Sequence, residues 1–354
     1  MPMCIHCATP IASLYMRYGR DHIVLTPCTS PVCSPSPSVA SGSASAVVLA
    51  DSYLEHDLPI VIIDLILAKP AAYRHLLFNR SSILRPSPSV TPHSSGGKGE
   101  VWALFKRILA LGLVDAYIRW FYLCVQPPAP PSPVTAGRLS GRLVSWARTT
   151  LPVHAGLFFP SAFTPRTNDK AVQAVCSATP LWSAGETVQQ GADAMLPTLV
   201  SYANVLLITL IETLALQLCV GLLTRYAIRT LSHTPSSTSK TEKDHPVKET
   251  PDPLIGCKAL LLSQLSPLLL LSFVLLWSSK FPHSHQPSVQ GEDRSWMVWI
   301  IRTFLASLNA GVAIATVLPT SGKAGRGRWW SPLILGAAWT VQAAASAGLY
   351  SWLS

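Results

Sequence analysis

At 354 residues, 49% hydrophobic and 12% charged, with a mean hydropathy of +0.34, the chain holds far less charge than the roughly 25% of ordinary soluble domains. That excludes a purely soluble protein and predicts an integral membrane protein with a modest soluble part. The net charge of +10, set beside apolar segments, reads as topology determinants and anionic-lipid contacts rather than a nucleic-acid surface.

The chain starts MPMCIHCATP, which has no apolar signal core. The first span is therefore expected to direct insertion and leave the N-terminal head cytosolic and reduced. Cys4, Cys7, Cys28 and Cys33 follow a C-x2-C-x20-C-x4-C pattern. In a reducing compartment such pairs favour metal over disulfide. Two β-leaning runs, Ser13–Tyr18 and His22–Thr26, flank a turn at Gly19–Asp21 and would bring the pairs together. Residues 1–33 thus predict a zinc-ribbon-like β head in which four thiolates hold a structural zinc, with no open position for water. The second pair, CTSPVC, needs a wide knuckle around Pro31. That spacing admits His6 or His22 as a substitute ligand. Loose cysteines, or pairing in an oxidising compartment, are the alternatives.

Residues 34–50 form a low-complexity linker. The segment 51–80 follows. Its apolar run Leu58–Ala68 carries one acid, Asp64, and is shorter than the about 20 residues a bilayer crossing takes. Pro70 is expected to stop or kink that helix. Lys69 just before it and Tyr73, Arg74, His75, Phe78 and Arg80 beyond it mix cations, aromatics and aliphatic neighbours, which suits the lipid headgroup zone. A short helical hairpin packed on the head fits the same text. A sequon, Asn79-Arg80-Ser81, would place the head in the lumen if it carried glycan. Residues 81–100 form a second joint, and GGKGE lacks the spacing of a phosphate loop.

The fold class is a mainly α-helical integral membrane protein with about five transmembrane helices and the small β head. Spans are predicted at 102–125, 197–223, 258–279, 296–318 and 332–353. In the first, Asp115 and Arg119 lie four apart and can pair on one helix face, in a span or in an interfacial helix. Glu212, inside the second, is either a functional intramembrane acid or one end of a helix–helix hydrogen bond. Pro267 can kink the third. Loops 126–196 and 224–257 are read as disordered, except that 137–151 can form an amphipathic helix with Arg138, Arg142 and Arg148 on one side. Lys323, Arg326 and Arg328, with no acid nearby, support a cytosolic head.

Several of these stretches resemble one family. CIHC (Cys4–Cys7), IASLYMRYGRDHIVLTPC (Ile11–Cys28), YLEHD (Tyr53–Asp57), IVIIDLIL (Ile60–Leu67) and KPAAYRHLLFNR (Lys69–Arg80) resemble the homology domain of the Arv1 family, endoplasmic reticulum membrane proteins of lipid homeostasis. The close resemblance covers roughly the first 80 residues. The chain departs from the family in its second pair, C-x4-C where C-x2-C is typical. The resemblance implies a non-enzymatic mediator of intracellular sterol trafficking that affects sphingolipid metabolism and glycosylphosphatidylinositol intermediates. Its implied partners are membrane lipids (sterol, sphingolipid or glycolipid) and lipid-synthesis enzymes, without nucleic acid. Its implied location is the endoplasmic reticulum membrane, multi-pass. Consistent with a non-enzyme, the compact polar groups His56-Asp57 and Tyr73-Arg74-His75 lack a set of nucleophile, base and orienter. The alternative is a membrane-anchored zinc-ribbon scaffold that recruits or regulates a lipid-synthesis enzyme.

Overall fold

A computed structural model describes residues 2–18, 22–30, 33, 48–80, 97–121, 124, 191–232, 252–280, 300–319 and 329–353. The expectations for 19–21, 34–47, 81–96, 137–151 and the greater part of the two long loops lie outside these residues.

The head is built on turns and one hairpin. Strand β1 (Tyr15–Tyr18) pairs antiparallel with β2 (His22–Leu25), Tyr15 opposite Leu25 and Tyr18 opposite His22. Both strands fall inside the two β-leaning runs. After β2 the chain is joined by residues 48–50. Cys28 N–H donates to Val48 O at 2.9 Å and Ala50 N–H donates to Thr26 O at 3.0 Å. Ile5 N–H donates to Ala50 O at 3.0 Å, so Ala50 ties the first cysteine turn to the second. The far end of the expected linker is thus part of the head.

A 3-10 turn (Ser52–Leu54) capped by the Asp51 side chain leads into helix α1 (Leu58–Ile66). The stop signal of α1 is Ala68 rather than Pro70. Ala68 adopts a left-handed φ of 55°. Lys69 N–H reaches back to Asp64 O and Ala68 N–H to Leu65 O, the bond pair of a Schellman cap. Pro70 instead occupies the first turn of α2 (Pro70–Arg74), where its missing N–H leaves nothing unsatisfied. A π-helical turn, His75–Asn79, continues α2. The two helices form a hairpin with two buried faces. Val61 and Ala72 pack with Ile5 and Tyr53 of the head side, while Leu65 and Tyr73 pack with Ala259, Ala313 and Val317 of the helical bundle.

The bundle comprises α3 (Gly97–Trp120), α4 (Gly191–Ser232), α5 (Ile255–Lys280), α6 (Ala306–Val317, after a π-helical turn Ile300–Leu305) and α7 (Trp330–Leu353). Each predicted span is thus helical where it is described, except at Leu318, where α6 has ended. Two helices among the described residues are long and apolar enough to cross a membrane, Thr198–Leu231 and Ile255–Leu276. Helix α3 carries Glu100, Lys106, Arg107, Asp115 and Arg119, and α6 is short. At 42 residues, α4 is about 63 Å long, roughly twice the about 30 Å hydrocarbon core. It packs along α3 and α7, and α5 packs along α6. Leu216, Val220, Leu260, Ile314, Ile334 and Leu335 form the central core. Gly112 lets α3 approach α4: a Cβ there would stand 2.9 Å from Leu210 Cδ2. Pro267 lies within α5, which continues through it.

Candidate metal centre and the residues that hold it

The sulfurs of Cys4, Cys7, Cys28 and Cys33 all lie within 4.8 Å of one another. Cys7 Sγ is 3.6 Å from Cys28 Sγ and Cys4 Sγ is 3.9 Å from Cys33 Sγ. A tetrahedral zinc with Zn–S near 2.3 Å requires edges of about 3.8 Å, so the four sulfurs are placed to fit such an ion. Neither His6 nor His22 joins them among the described residues. The wide second pair therefore still delivers both sulfurs, helped by a turn in which Cys33 N–H donates to Ser30 O at 3.0 Å. In the first pair, Cys4 N–H donates to Thr9 O and Ala8 N–H to Cys4 O. Ala8 turns the chain with a left-handed φ of 61°.

The thiols differ in acidity. Burial works against the Cys7 thiolate, but hydrogen bonds from Thr9, then from Cys33 and Cys4, bring it down to about 6. Burial and the neighbouring sulfurs push Cys33 up, and burial also raises Cys28. Four sulfurs this close resist becoming four thiolates unless a cation joins them. A divalent ion with four thiolates would be left with net charge −2. Arg74 supplies countercharge: its Nη1 donates to Ile5 O at 2.6 Å and His6 O at 3.0 Å, inside the first cysteine turn.

Beneath the cysteines lies a buried polar cluster that sequence reasoning did not assemble. Asp51 Oδ2 pairs with His75 Nδ1 at 2.7 Å and accepts from Asn79 Nδ2 at 2.7 Å. Asn79 exchanges two hydrogen bonds with the Met3 backbone, each 2.9 Å, and is fully buried. The sequon's amide nitrogen is thus an internal donor. A second cluster surrounds Asp64, which accepts from Tyr53 Oη at 2.6 Å and pairs with Lys69 Nζ at 2.7 Å. One local signal was available: His75 and Asn79 lie four apart and share a helix face. Asp51, 24 residues from His75, gave none.

The residues expected to meet lipid divide by burial. Tyr73 is fully buried against the bundle, His75 is buried on Asp51, and Arg74 is engaged by the head. Phe78 is half-buried, and Lys69 and Arg80 are exposed. On α1 an outward apolar row appears: Ile60, Ile63 and Leu67 are 43%, 55% and 62% exposed.

Within the bundle, Asp115 and Arg119 do pair, Nε to Oδ2 at 2.8 Å. Arg119 Nη1 also donates to Glu212 Oε2 at 2.5 Å across the α3–α4 contact. Glu212 is almost wholly buried. The Asp115–Arg119 pair and the Glu212 helix–helix hydrogen bond thus join in one ionic group.

The Arv1-like family profile matches residues 3–291. Among similar curated proteins, "Protein ARV1" of Eremothecium gossypii is 36% identical over 129 residues, 33% of this chain and 38% of its own. "Protein ARV1" of Saccharomyces cerevisiae is 42% identical over 77 residues, 22% of this chain and 19% of its own. "Protein ARV1" of Mus musculus is 31% identical over 129 residues, 36% of each chain. The aligned part of the chain therefore spans well under half the length of these relatives. No solved structure matches the chain.

Proposed function

The chain belongs to the Arv1-like family, and from that premise we propose that it is a non-enzymatic lipid-handling protein of the endoplasmic reticulum membrane. In this reading it mediates sterol trafficking and lipid homeostasis, with effects on sphingolipid metabolism and glycosylphosphatidylinositol intermediates. The head faces the cytosol and holds one structural zinc. The membrane part comprises the two span-grade helices, with α3, α6 and α7 completing a multi-pass bundle.

The observation that carries the reading is the α1–α2 hairpin. Its inner faces are used on the head and the bundle, yet its outer row is apolar: Ile60, Ile63 and Leu67. A soluble surface has no use for such a row, whereas a headgroup–acyl boundary does. Lys69, Phe78 and Arg80 are then available for headgroups, and Tyr73, Arg74 and His75 hold the hairpin in place.

The test is complementation of cells that lack their own family member. Full-length Ile60→Asp/Ile63→Asp protein should keep its zinc and its membrane insertion but fail to restore sterol distribution. Wild-type lipid distribution with this variant would refute the hairpin's role.

One observation favours a second reading, a scaffold for a lipid-synthesis enzyme. The β1–β2 hairpin exposes Met16, Tyr18 and Val24 on one face and Tyr15 and Ile23 on the other, apolar surface suited to a protein partner. A scaffold would retain function with α4 and α5 replaced by unrelated spans; a lipid handler would lose it.

A further inference from the structure

The bundle contains a partly open cavity of about 520 Å³ to which α3, α4, α5, α6 and α7 all contribute. Its walls are chiefly hydrocarbon, including Pro267, Trp339 and Gly336, and Asp115, Arg119 and Gln342 also line it. A Cβ built on Gly336 would meet no atom within 4 Å, so α7 leaves this space open rather than filling it. Placing ions beside an apolar void is expensive and is a sign of use.

The polar group selects its ligand by hydrogen bonding. Arg119 is already shared between Asp115 and Glu212, so a phosphate head would meet the Asp115 carboxylate and gain no uncommitted cation. A quaternary ammonium could not donate a hydrogen bond. A hydroxyl donates and accepts at once, and the Asp115–Arg119 pair presents an acceptor and a donor side by side. The volume lies in the range that encloses one compact organic molecule, about 300–1,000 Å³, and is small for two full acyl chains.

We propose that this cavity is a binding site for a neutral amphiphile with a compact apolar body, whose hydroxyl head sits on Asp115 and Arg119. This site deepens the lipid-handling reading and rests on it, but it lies in the bundle and not on the α1–α2 hairpin.

The test uses the full chain in nanodiscs and a photoactivatable sterol, with labelled peptides mapped by mass spectrometry. Saturable labelling is expected within 111–119 and 336–343. Unlabelled sterol should compete, and its methyl ether should compete roughly tenfold less well, having lost the donated hydrogen bond. Asp115→Ala should weaken labelling by a similar factor. Gly336→Leu, which fills the void without touching the ions, should abolish it while thermal stability is kept. Labelling that survives Gly336→Leu overturns the site. Equal competition by the methyl ether, by phosphatidylcholine or by a long-chain amine overturns the ligand class. Saturable labelling confined to 58–80 overturns the cavity and leaves the lipid-handling reading standing. No saturable labelling anywhere overturns both.

Discussion

The head with its hairpin and the helical bundle are held together by different means. In residues 2–80 the long-range ties are polar and specific: Met3 to Asn79, Asp51 to His75, Arg74 to the first cysteine turn, and four converging sulfurs. The bundle is held chiefly by apolar contact, with the partly buried Asp115–Arg119–Glu212 group set within it. The difference follows from size and solvent. A head of about fifty residues cannot bury enough apolar surface to fold alone, so staples replace a core. Long apolar helices need no staple, because the membrane and their neighbours accept their surfaces.

This contrast can be broken most severely at the proposed metal centre. Removal of zinc, or Cys4→Ser, should cost the head about 10 kcal/mol of apparent folding free energy. Protease sensitivity should appear within 2–50 while helical circular dichroism of the bundle persists. Elemental analysis should find one zinc per chain before chelation, and a well-folded head without metal would falsify the centre. Next in size, Arg119→Met leaves Glu212 and Asp115 without their cation and should lower bundle stability by about 3–5 kcal/mol. It would be read as a drop in melting temperature in detergent, with partial recovery in the Arg119→Met/Glu212→Gln double variant. The head's zinc should be untouched.

Smaller effects sharpen the comparison from the head side. Asp51→Ala strands the His75 and Asn79 donors and should cost about 3 kcal/mol. Hydrogen exchange should accelerate across 48–80 and not in α4 or α5. Tyr53→Phe removes one charge-assisted hydrogen bond, about 1.5 kcal/mol, and alters acid stability. Burial pushes Asp64 up, but hydrogen bonds from Lys69 and Tyr53 outweigh it and hold the carboxyl below its ordinary value. A depressed folded pKa gives stability that is complete above the unfolded pKa and is lost as pH falls through the folded value. Without Tyr53 Oη that loss should begin at higher pH in an acid titration of the head. Last, Ala68→Gly relieves a left-handed alanine and should stabilise the hairpin by about 1 kcal/mol, seen as slower exchange at the end of α1.

Much of this architecture was legible because it is local. Cysteine spacing announced the sulfur cluster, the β-leaning runs announced β1 and β2, and apolar runs located every helix of the bundle. The i,i+4 pair Asp115–Arg119 was readable for the same reason. What could not be read was long-range polar pairing. Arg119 and Glu212 are 93 residues apart, and Met3 and Asn79 are 76 apart. No periodicity reports which distant side chain a buried polar group will find. The Pro70 reading erred in a related way: proline forbids a helix interior but favours a helix start, and only the left-handed Ala68 before it decided between them. Span-grade apolarity likewise depended on details of composition, since the charges of α3 weaken a segment whose length alone would qualify.

Asn79 turns the sequon into a reporter of conformation. The nitrogen that would carry an oligosaccharide is the one that closes the N-terminus onto the π-helical turn. A given molecule can therefore bear the sugar or the shut head, and the two states exclude each other. Should the segment be presented to the glycosylating machinery, a glycosidase-sensitive mass shift would count the molecules caught before closure. Topology mapping that relies on Asn79 would then register folding kinetics as well as sidedness. A sequon engineered elsewhere is needed to separate them.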